Sequence, residues 1–408
     1  MEKKTSILSH VLCIVLTALV VFAGTMVACA FLFAPQSALQ TPPPKEEIQL
    51  GQDESYLEKT REVIALLEEK YIDDVNYEVL DDYLAEAAVA ATGDRWSYYI
   101  SAEDFAAYAE DNANAYVGIG ITIEHKNEDD PGFTVIDVAR NGPAEAAGIL
   151  VGDMLVAVEG KNVVEIGMTE AKNIVRGEEG TKVNITILRN GKEIDLTITR
   201  ETVEVEIVVF ELLEGGVGYV KINNFGENCA RDTLAAIEQL LDKGAKSLVF
   251  DLRFNGGGYK SEMLAVLDYL LPEGPLFRSV DYLGNESVEY SDAAYLDVPM
   301  AVLVNEESYS AAEFFAAALQ EYDAAVVVGT KTTGKANYQQ TFMLSDGSAV
   351  AVSTGHYQTP NGVTLTDIGV TPDKIVEVDE ETFMAIYYDK LDKEDDLQLQ
   401  RAISAVRR

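Results

Sequence analysis

The spacing of apolar residues changes character three times along the chain. Val11 to Ala34 form a run of 24 residues without a charge, long enough to cross the hydrocarbon core of a bilayer as one helix. The polar, proline-rich stretch "PQSALQTPPPKEEIQLGQDES" that follows predicts a tether. Leu57, Ile64, Leu67 and Tyr71 then recur at helical spacing, and a second helical pattern spans roughly Val79 to Ala91, with Gly93 as its stop. From about Tyr116 to Glu201 the period shortens to two. "YVGIGITIE" predicts a strand, and a helix is expected near Thr169–Val175. Val183, Ile185 and Ile187 alternate up to Asn190-Gly191, and Ile194, Leu196 and Ile198 alternate back, which predicts a hairpin.

From about Gly215 helix and strand take turns. Leu234, Ile237 and Leu241 mark one face of a helix near Arg231–Lys243, ended by Gly244. "SLVFDL" reads as a strand running into "RFNGGGY", and the next helix carries Leu264, Leu267 and Leu271. "MAVLV" feeds directly into "NEESYSAAEFFAAALQ", and "AAVVVG" into "TKTTGKANYQQ". Such alternation predicts an α/β core with functional groups on the loops at strand ends. The acidic end "DKLDKEDDLQLQRAISAVRR" reads as one terminal helix.

Composition narrows the choices. A chain of 408 residues suits two or three domains. Its 31 basic and 69 acidic residues give a net charge of −38, a surface that repels nucleic acid and anionic lipid headgroups. Cys13 and Cys29 lie in the apolar run, leaving Cys229 alone in the rest of the chain. That excludes an intramolecular disulfide framework and a cysteine-based metal site there; no metal and no other cofactor is expected. Lys3 and Lys4 favour a cytoplasmic N-terminus and place everything after Ala34 outside the cytoplasm. The apolar run exceeds the roughly 7–15 residues of a cleaved signal, so an uncleaved single-pass anchor is expected, although "MVAC" faintly resembles a lipoprotein processing site. One anchor and one soluble cysteine fit a bacterial cell membrane, most simply that of a Gram-positive cell.

Ser310 and Glu313 have the S-x-x-E form of a capping box, whose ordinary meaning is the head of a helix. A reactive serine needs a similar place, where backbone N–H groups are free, and it also needs a base. Of the three histidines, His10, His125 and His356, neither of the two beyond the apolar run is well placed, and no G-x-S-x-G stands in the chain. Lysine is the other base available, active only when neutral. Lys335 follows Gly334 in a turn just past the strand Ala325–Gly329; on local sequence it is equally an ordinary turn lysine. Gly256, Gly257 and Gly258 precede no G-K-[ST] and do not form a phosphate loop.

The segment from Ser308 to Gly362, "SYSAAEFFAAALQEYDAAVVVGTKTTGKANYQQTFMLSDGSAVAVSTGHYQTPNG", resembles the carboxy-terminal processing (tail-specific) proteases. In that family a helix-heading serine stands 25 residues before a lysine, and a glutamine follows four later; Ser310, Lys335 and Gln339 match, whereas Ser308 does not. "GDRWSYYIS", "GYVKINNFGENCARD", "LVFDLRFNGGG" and "DIGVTPD" recur as well, so the likeness runs from about Tyr56 to Val378. Three positions depart from it: Tyr309 for a small residue, Ala336 for a glycine, and His356 for a frequent arginine.

The resemblance implies a crotonase-like α/β core and a serine endopeptidase. Lys335 would act as base, Gln339 would orient it, and Ala311 with Gly257 or Gly258 would supply the oxyanion donors. The stretch from Tyr116 to Glu201 resembles a PDZ domain, in which Gly118, Ile119, Gly120 and Ile121 would bind an extended protein C-terminus ending in apolar residues. Arg176 is the candidate for linking that domain to the active site. The expected organisation is anchor 1–34, tether 35–54, N-terminal helical part 55–113, PDZ domain 114–201, protease core 202–380 and helical tail 381–408, with the N-terminal helices able to make a homodimer. Two other readings compete: a catalytically silent PDZ scaffold that recruits another protease, and an extracytoplasmic binding protein.

Overall fold

The computed structural model describes residues 39–40, 55–105, 108, 114–125, 127 and 130–407. The expected membrane helix lies outside them, and no helix among the described residues is long and apolar enough to cross a membrane. The chain divides into two compact units: residues up to Glu103 with Gln339–Ser353, and Asp104–Tyr338 with Thr354–Arg408.

The first unit contains β1 (Leu39–Gln40), α1 (Ser55–Lys70), α2 (Tyr77–Ala90) and β2 (Tyr98–Ile100). The Asn76 side chain caps α2 by accepting from the N–H groups of Glu78 and Val79, which sets its start two residues earlier than the apolar pattern predicts. β2 pairs antiparallel with Ala349–Ala351, and β1 parallel with Thr341–Phe342. On α1 the expected stripe is only partly covered: Leu67 and Tyr71 are exposed, as are Val63 and Leu66.

The second unit begins with β3 (Ala115–Gly118), which returns as β10 (Glu201–Glu204) in an antiparallel pair. This two-stranded stalk carries an inserted module: β4 (Ile121–Glu124), β5 (Phe133–Val138), β6 (Met154–Val158), β8 (Lys182–Arg189) and β9 (Lys192–Thr199) in one antiparallel sheet, with β7 (Lys161–Asn162) paired to β6. Helices α3 (Pro143–Ala146), α4 (Val163–Ile166) and α5 (Met168–Val175) belong to it, and Phe133, Val135, Leu155, Val183, Ile185, Ile187 and Ile198 form its buried core. The hairpin register is the predicted one, with Ile187 opposite Ile194, Ile185 opposite Leu196 and Val183 opposite Ile198, because Asn190 and Gly191 both take the positive φ that a two-residue turn needs. "YVGIGITIE" is not one strand. It breaks between Gly118 and Ile121, where Gly120 sits at φ +79 and the Ile119 carbonyl accepts from Ala144 N–H at 2.8 Å.

The core sheet has the order β11 (Val208–Leu213), β12 (Val217–Ile222), β13 (Ser247–Asp251), β16 (Met300–Val304), β17 (Ala325–Gly329), β20 (Lys374–Ile375); only β11 runs antiparallel. β13 and β16 are buried at every position, as strands covered on both faces must be. One face packs on α6 (Cys229–Asp242), α7 (Lys260–Leu270) and α8 (Ala311–Glu321); the other on α10 (Leu397–Val406) through Leu399, Ala402, Ile403 and Val406. The hairpin β14 (Gly274–Asp281) with β15 (Glu286–Ser291) follows α7, and β18 (Asn337–Met343) and β19 (Ala349–Gln358) follow β17. The acidic end holds the one helix expected, α10, but this begins at Leu397 rather than near Asp389, and a separate helix, α9 (Glu380–Tyr387), precedes it. Between them Asp389 turns left-handed at φ +54, and the Asp396 side chain starts α10 afresh by accepting from Leu399 N–H.

α10 is fixed to the sheet by a buried charge cluster. The Arg253 guanidinium lies 2.6 Å from an Asp251 oxygen and 2.8 Å from an Asp396 oxygen, and donates to Gln398 Oε1 at 3.1 Å. Burial alone would raise the Asp251 carboxyl, but the guanidinium beside it holds it below the usual carboxylate range. That contribution is present at neutral pH and is lost as pH falls through the depressed value. Arg253→Met leaves two buried carboxylates without a counter-charge, and urea unfolding of the full chain should show a loss of about 3–5 kcal/mol; an unchanged midpoint would mean the cluster is neutral in the fold.

Candidate active site

Three adjacent parallel strands, β13, β16 and β17, release their loops at the same edge of the sheet, and side chains sew those loops together. Asn305, just after β16, accepts from Phe254 N–H at 3.0 Å; Ser308 donates its hydroxyl to the Leu252 carbonyl at 2.7 Å; Tyr309 N–H donates to the Asn255 carbonyl at 3.1 Å. Ser308 is therefore a buried strut. The neighbouring serine is different.

Ser310 stands at φ +57, ψ −125, a conformation that favours glycine and costs about 1–3 kcal/mol for other residues. The chain turns sharply from β16 into α8 at this residue. The backbone thus makes the strained strand-to-helix turn of a nucleophile elbow, although the sequence lacks the glycines that usually mark it. Glu313, one turn into α8, holds the turn in place. Its carboxylate is fully buried and accepts four hydrogen bonds: from Ser310 N–H (3.0 Å) and Lys335 N–H (2.8 Å) on Oε2, and from Gly334 N–H (2.7 Å) and the Thr332 hydroxyl (2.5 Å) on Oε1. Ser310 and Lys335 are thereby drawn to one oxygen atom. The glutamate half of the capping box expected from the sequence is present, while Glu313 N–H donates to the Ser310 carbonyl at 2.9 Å rather than to its hydroxyl, and the same glutamate reaches across to the lysine loop. Burial pushes its carboxyl above the ordinary range, against the pull of the four donors.

The glycine turn "NGGG" lies against Ser310. A Cβ on Gly257, whose φ is +92, would come within 2.7 Å of Ser310 Cβ and 3.0 Å of Ala311 N. The Gly257 N–H, an expected oxyanion donor, is already given to Asn255 Oδ1 at 2.8 Å. Gly258 N–H and Ala311 N–H make no hydrogen bond among the described residues, so these are the two donors still available at the turn and the helix head. Gly258 has no room for a side chain either, since its Cβ would meet the Phe225 backbone at 2.4 Å.

Lys335 is half-buried, with Nζ 5.6 Å from the centroid of the Tyr309 ring. That ring occupies the space beside Gly256, where a Cβ would lie 2.6 Å from the tyrosine oxygen. Ala336, which stands where the family usually has glycine, is unstrained: it is not among the positive-φ residues, and Gly334, at φ +86, makes the turn instead. Gln339 lies on β18 in the first unit, where its Nε2 donates to Ser353 Oγ at 3.0 Å. His356 is exposed with Nδ1 3.0 Å from Asn337 Oδ1, and His125 packs edge-on to Phe133 in the module.

In the inserted module a groove of about 300 Å³ is lined by Ile119, Gly120, Ile121, Leu155, Met168 and Val175, with Lys172 and Arg176 beside them. Gly118 does not line it; it pairs with Glu201 in the stalk. Arg176 places its guanidinium carbon 5.0 Å from the Tyr116 ring centroid, reaching from α5 to the stalk. Glu313 is legible in the sequence only as a cap, and nothing there points to Asn255 or Thr332.

The family model of peptidase family S41 matches residues 216–376, and that of the PDZ domain matches residues 134–189. The chain is 32% identical over 322 residues to the carboxyl-terminal-processing peptidase 2, chloroplastic, of Arabidopsis thaliana, covering 74% of this chain and 62% of that protein. It is 30% identical over 336 residues to a carboxyl-terminal-processing protease of Picosynechococcus, covering 81% and 78%. Among solved structures, the photosystem II D1 C-terminal processing protease is 28% identical with a TM-score of 0.46, covering 80% of this chain and 89% of that one. A Bacteroides fragilis structure described as an S41 protease shares the fold at 18% identity and a TM-score of 0.52, covering 82% and 92%.

The Glu313 clamp gives a two-sided expectation. A raised folded value means that Glu313 favours folding most below the ordinary glutamate range, and that this contribution is lost as pH rises through the raised value. Glu313→Gln escapes that loss, so its Tm relative to the native chain should improve as pH rises across this window. Its amide still cannot accept all four donors, and reactivity of Ser310 with a fluorophosphonate should fall at least about tenfold. A Tm difference that is flat with pH would contradict the first part. Gly257→Ala should block the same labelling by crowding Ser310, with the fold retained by circular dichroism.

Proposed function

The chain belongs to peptidase family S41 and is a serine-type C-terminal processing peptidase, and from that premise we propose that Ser310 is its nucleophile and Lys335 its base. Neutral Lys335 takes the proton from Ser310 Oγ as it attacks the peptide carbonyl. The oxygen that gains charge is held by the N–H groups of Ala311 and Gly258, the second donor assigned to Gly258 because Gly257 N–H is committed to Asn255. The lysine returns the proton to the departing amine, and water then releases the acyl group by the reverse sequence. The observation that carries this reading is the convergence of Ser310 N–H and Lys335 N–H on Glu313 Oε2, with Ser310 held in a strained turn.

Substrates are proteins whose C-termini are taken by the PDZ groove. The apolar lining from Ile119, Ile121, Leu155 and Val175 supports a preference for apolar terminal residues, and Gly120 and Ile121 offer the strand along which an extended tail pairs. Holding the tail there raises the local concentration of the rest of the substrate near Ser310. Arg176, stacked on Tyr116 of the stalk, is the residue through which groove and core would sense each other. We assign the uncharged run Val11–Ala34 as a single membrane anchor with the catalytic part outside the cytoplasm of a bacterial cell.

The full chain should degrade an unfolded protein ending in apolar residues. Ser310→Ala and Lys335→Ala should each lower the rate by at least about a thousandfold, because members of such a unit fail together. A fluorophosphonate should label the native chain at Ser310. Cleavage that persists in Ser310→Ala would reduce that serine to a helix cap.

A further inference from the structure

The inserted module is joined to the core by two strands, and both junctions meet at Asn114. Its carbonyl accepts from Val205 N–H at 2.8 Å, closing the base of the stalk. Its side chain is nearly buried and grips the loop after β12: Asn224 Nδ2 donates to Asn114 Oδ1 at 2.9 Å, and Asn114 Nδ2 donates to the Glu227 carbonyl at 3.2 Å. Asn224 Oδ1 in turn accepts from Gly226 N–H at 2.7 Å, and Gly226 is glycine of necessity, since a Cβ there would lie 2.3 Å from Asn114 Nδ2.

Between the two gripped residues stands Phe225, fully buried. Its N–H donates to the Gly257 carbonyl at 2.8 Å and its carbonyl accepts from Tyr259 N–H at 2.7 Å, so its backbone straddles Gly258. Its ring lies 5.6 Å from that of Phe315, on the helix that Ser310 heads. A displacement of the stalk therefore acts on Asn114, through Asn224 on the Phe225 segment, and through two backbone hydrogen bonds on the glycine turn. Asn114, Asn224 and Phe225 are not among the residues that line the groove.

We infer that Asn114 and Asn224 are positioning residues: their clasp sets the oxyanion turn at Gly258 according to where the stalk holds the PDZ module. The inference rests on the reading of Ser310 and Gly258 given above. Occupation of the groove, which borders the stalk at Tyr116, then changes turnover without any contact between the bound tail and the catalytic groups.

Asn224→Asp tests it cleanly. The aspartate keeps the acceptor for Gly226 N–H but has no donor for Asn114 Oδ1, and sets two oxygens against each other. The assay uses the full chain, a short fluorogenic peptide with an amidated C-terminus as substrate, and a separate peptide ending in Leu-Val-Ala as the groove probe. In the native chain the probe should raise kcat. In Asn224→Asp, kcat should fall about tenfold, less than the loss of a whole oxyanion donor. The response to the probe should vanish, while KM and the Kd of the fluorescein-labelled probe stay within about twofold. Gly226→Ala, which expels the Asn114 amide by crowding, should reproduce this and serves if the aspartate variant fails to fold. Native kcat and native response in either folded variant would overturn the clasp, as would a native chain whose kcat ignores the probe, or a kcat loss matched by an equal loss of probe affinity. Ser310→Ala run alongside separates these results from a failure of the nucleophile assignment, which alone would leave cleavage intact in that variant.

Discussion

The Glu313 carboxylate is fully buried, and everything in the candidate active site is arranged around that fact. A buried charge must be met by donors, and here they come from two loops that the chain would otherwise leave independent. Ser310 N–H belongs to the elbow before α8; Thr332, Gly334 and Lys335 belong to the loop after β17. Satisfying one side chain thus fixes the positive φ of Ser310 and the register of the lysine relative to it. The burial that raises the carboxyl is a cost that the fold carries to obtain this geometry, in line with the tendency of functional sites to hold locally unfavourable features.

The sheet makes the arrangement possible. Because β13, β16 and β17 are parallel neighbours, their exits lie side by side, and a loop from each contributes one part of the site: the glycine turn, the serine and the lysine. Their rigidity comes from burial on both faces, with α8 on one side and α10 on the other. Arg253 begins the loop that carries the glycine turn, and its pairing with Asp396 ties that loop to the far face as well.

What could be read in the sequence was what depends on neighbours along the chain. The β8–β9 hairpin follows from Asn190-Gly191 and strict alternation, and the buried strands from unbroken apolar runs. Ser310 and Lys335 stand out in the sequence as candidates because a lysine is the remaining base where histidine is scarce, and their spacing matches a known pattern. The rest depends on residues far apart in sequence. Nothing local to Gly257 tells that Asn255 claims its N–H, nothing near Glu313 announces a bond to Lys335, and the break in "YVGIGITIE" follows from a carbonyl turned toward Ala144. Gly118 looked like part of the binding loop and is a stalk residue for the same reason: its partner, Glu201, comes 83 positions later.

The stalk also bears on how such a chain can come together. Val205 N–H and the Asn114 carbonyl are hydrogen-bonded, so the polypeptide leaves the core and re-enters it at nearly the same point. For the core, the module is a loop whose ends are already joined. The entropy of closing a loop grows only with the logarithm of its length, so the residues between these two positions burden the core little more than a short turn would. The module has its own buried cluster, distinct from those on the two faces of the core sheet. Each part can therefore consolidate around local contacts, and the stalk lets the module's sequence drift toward new tails without disturbing the sheet on which the serine stands.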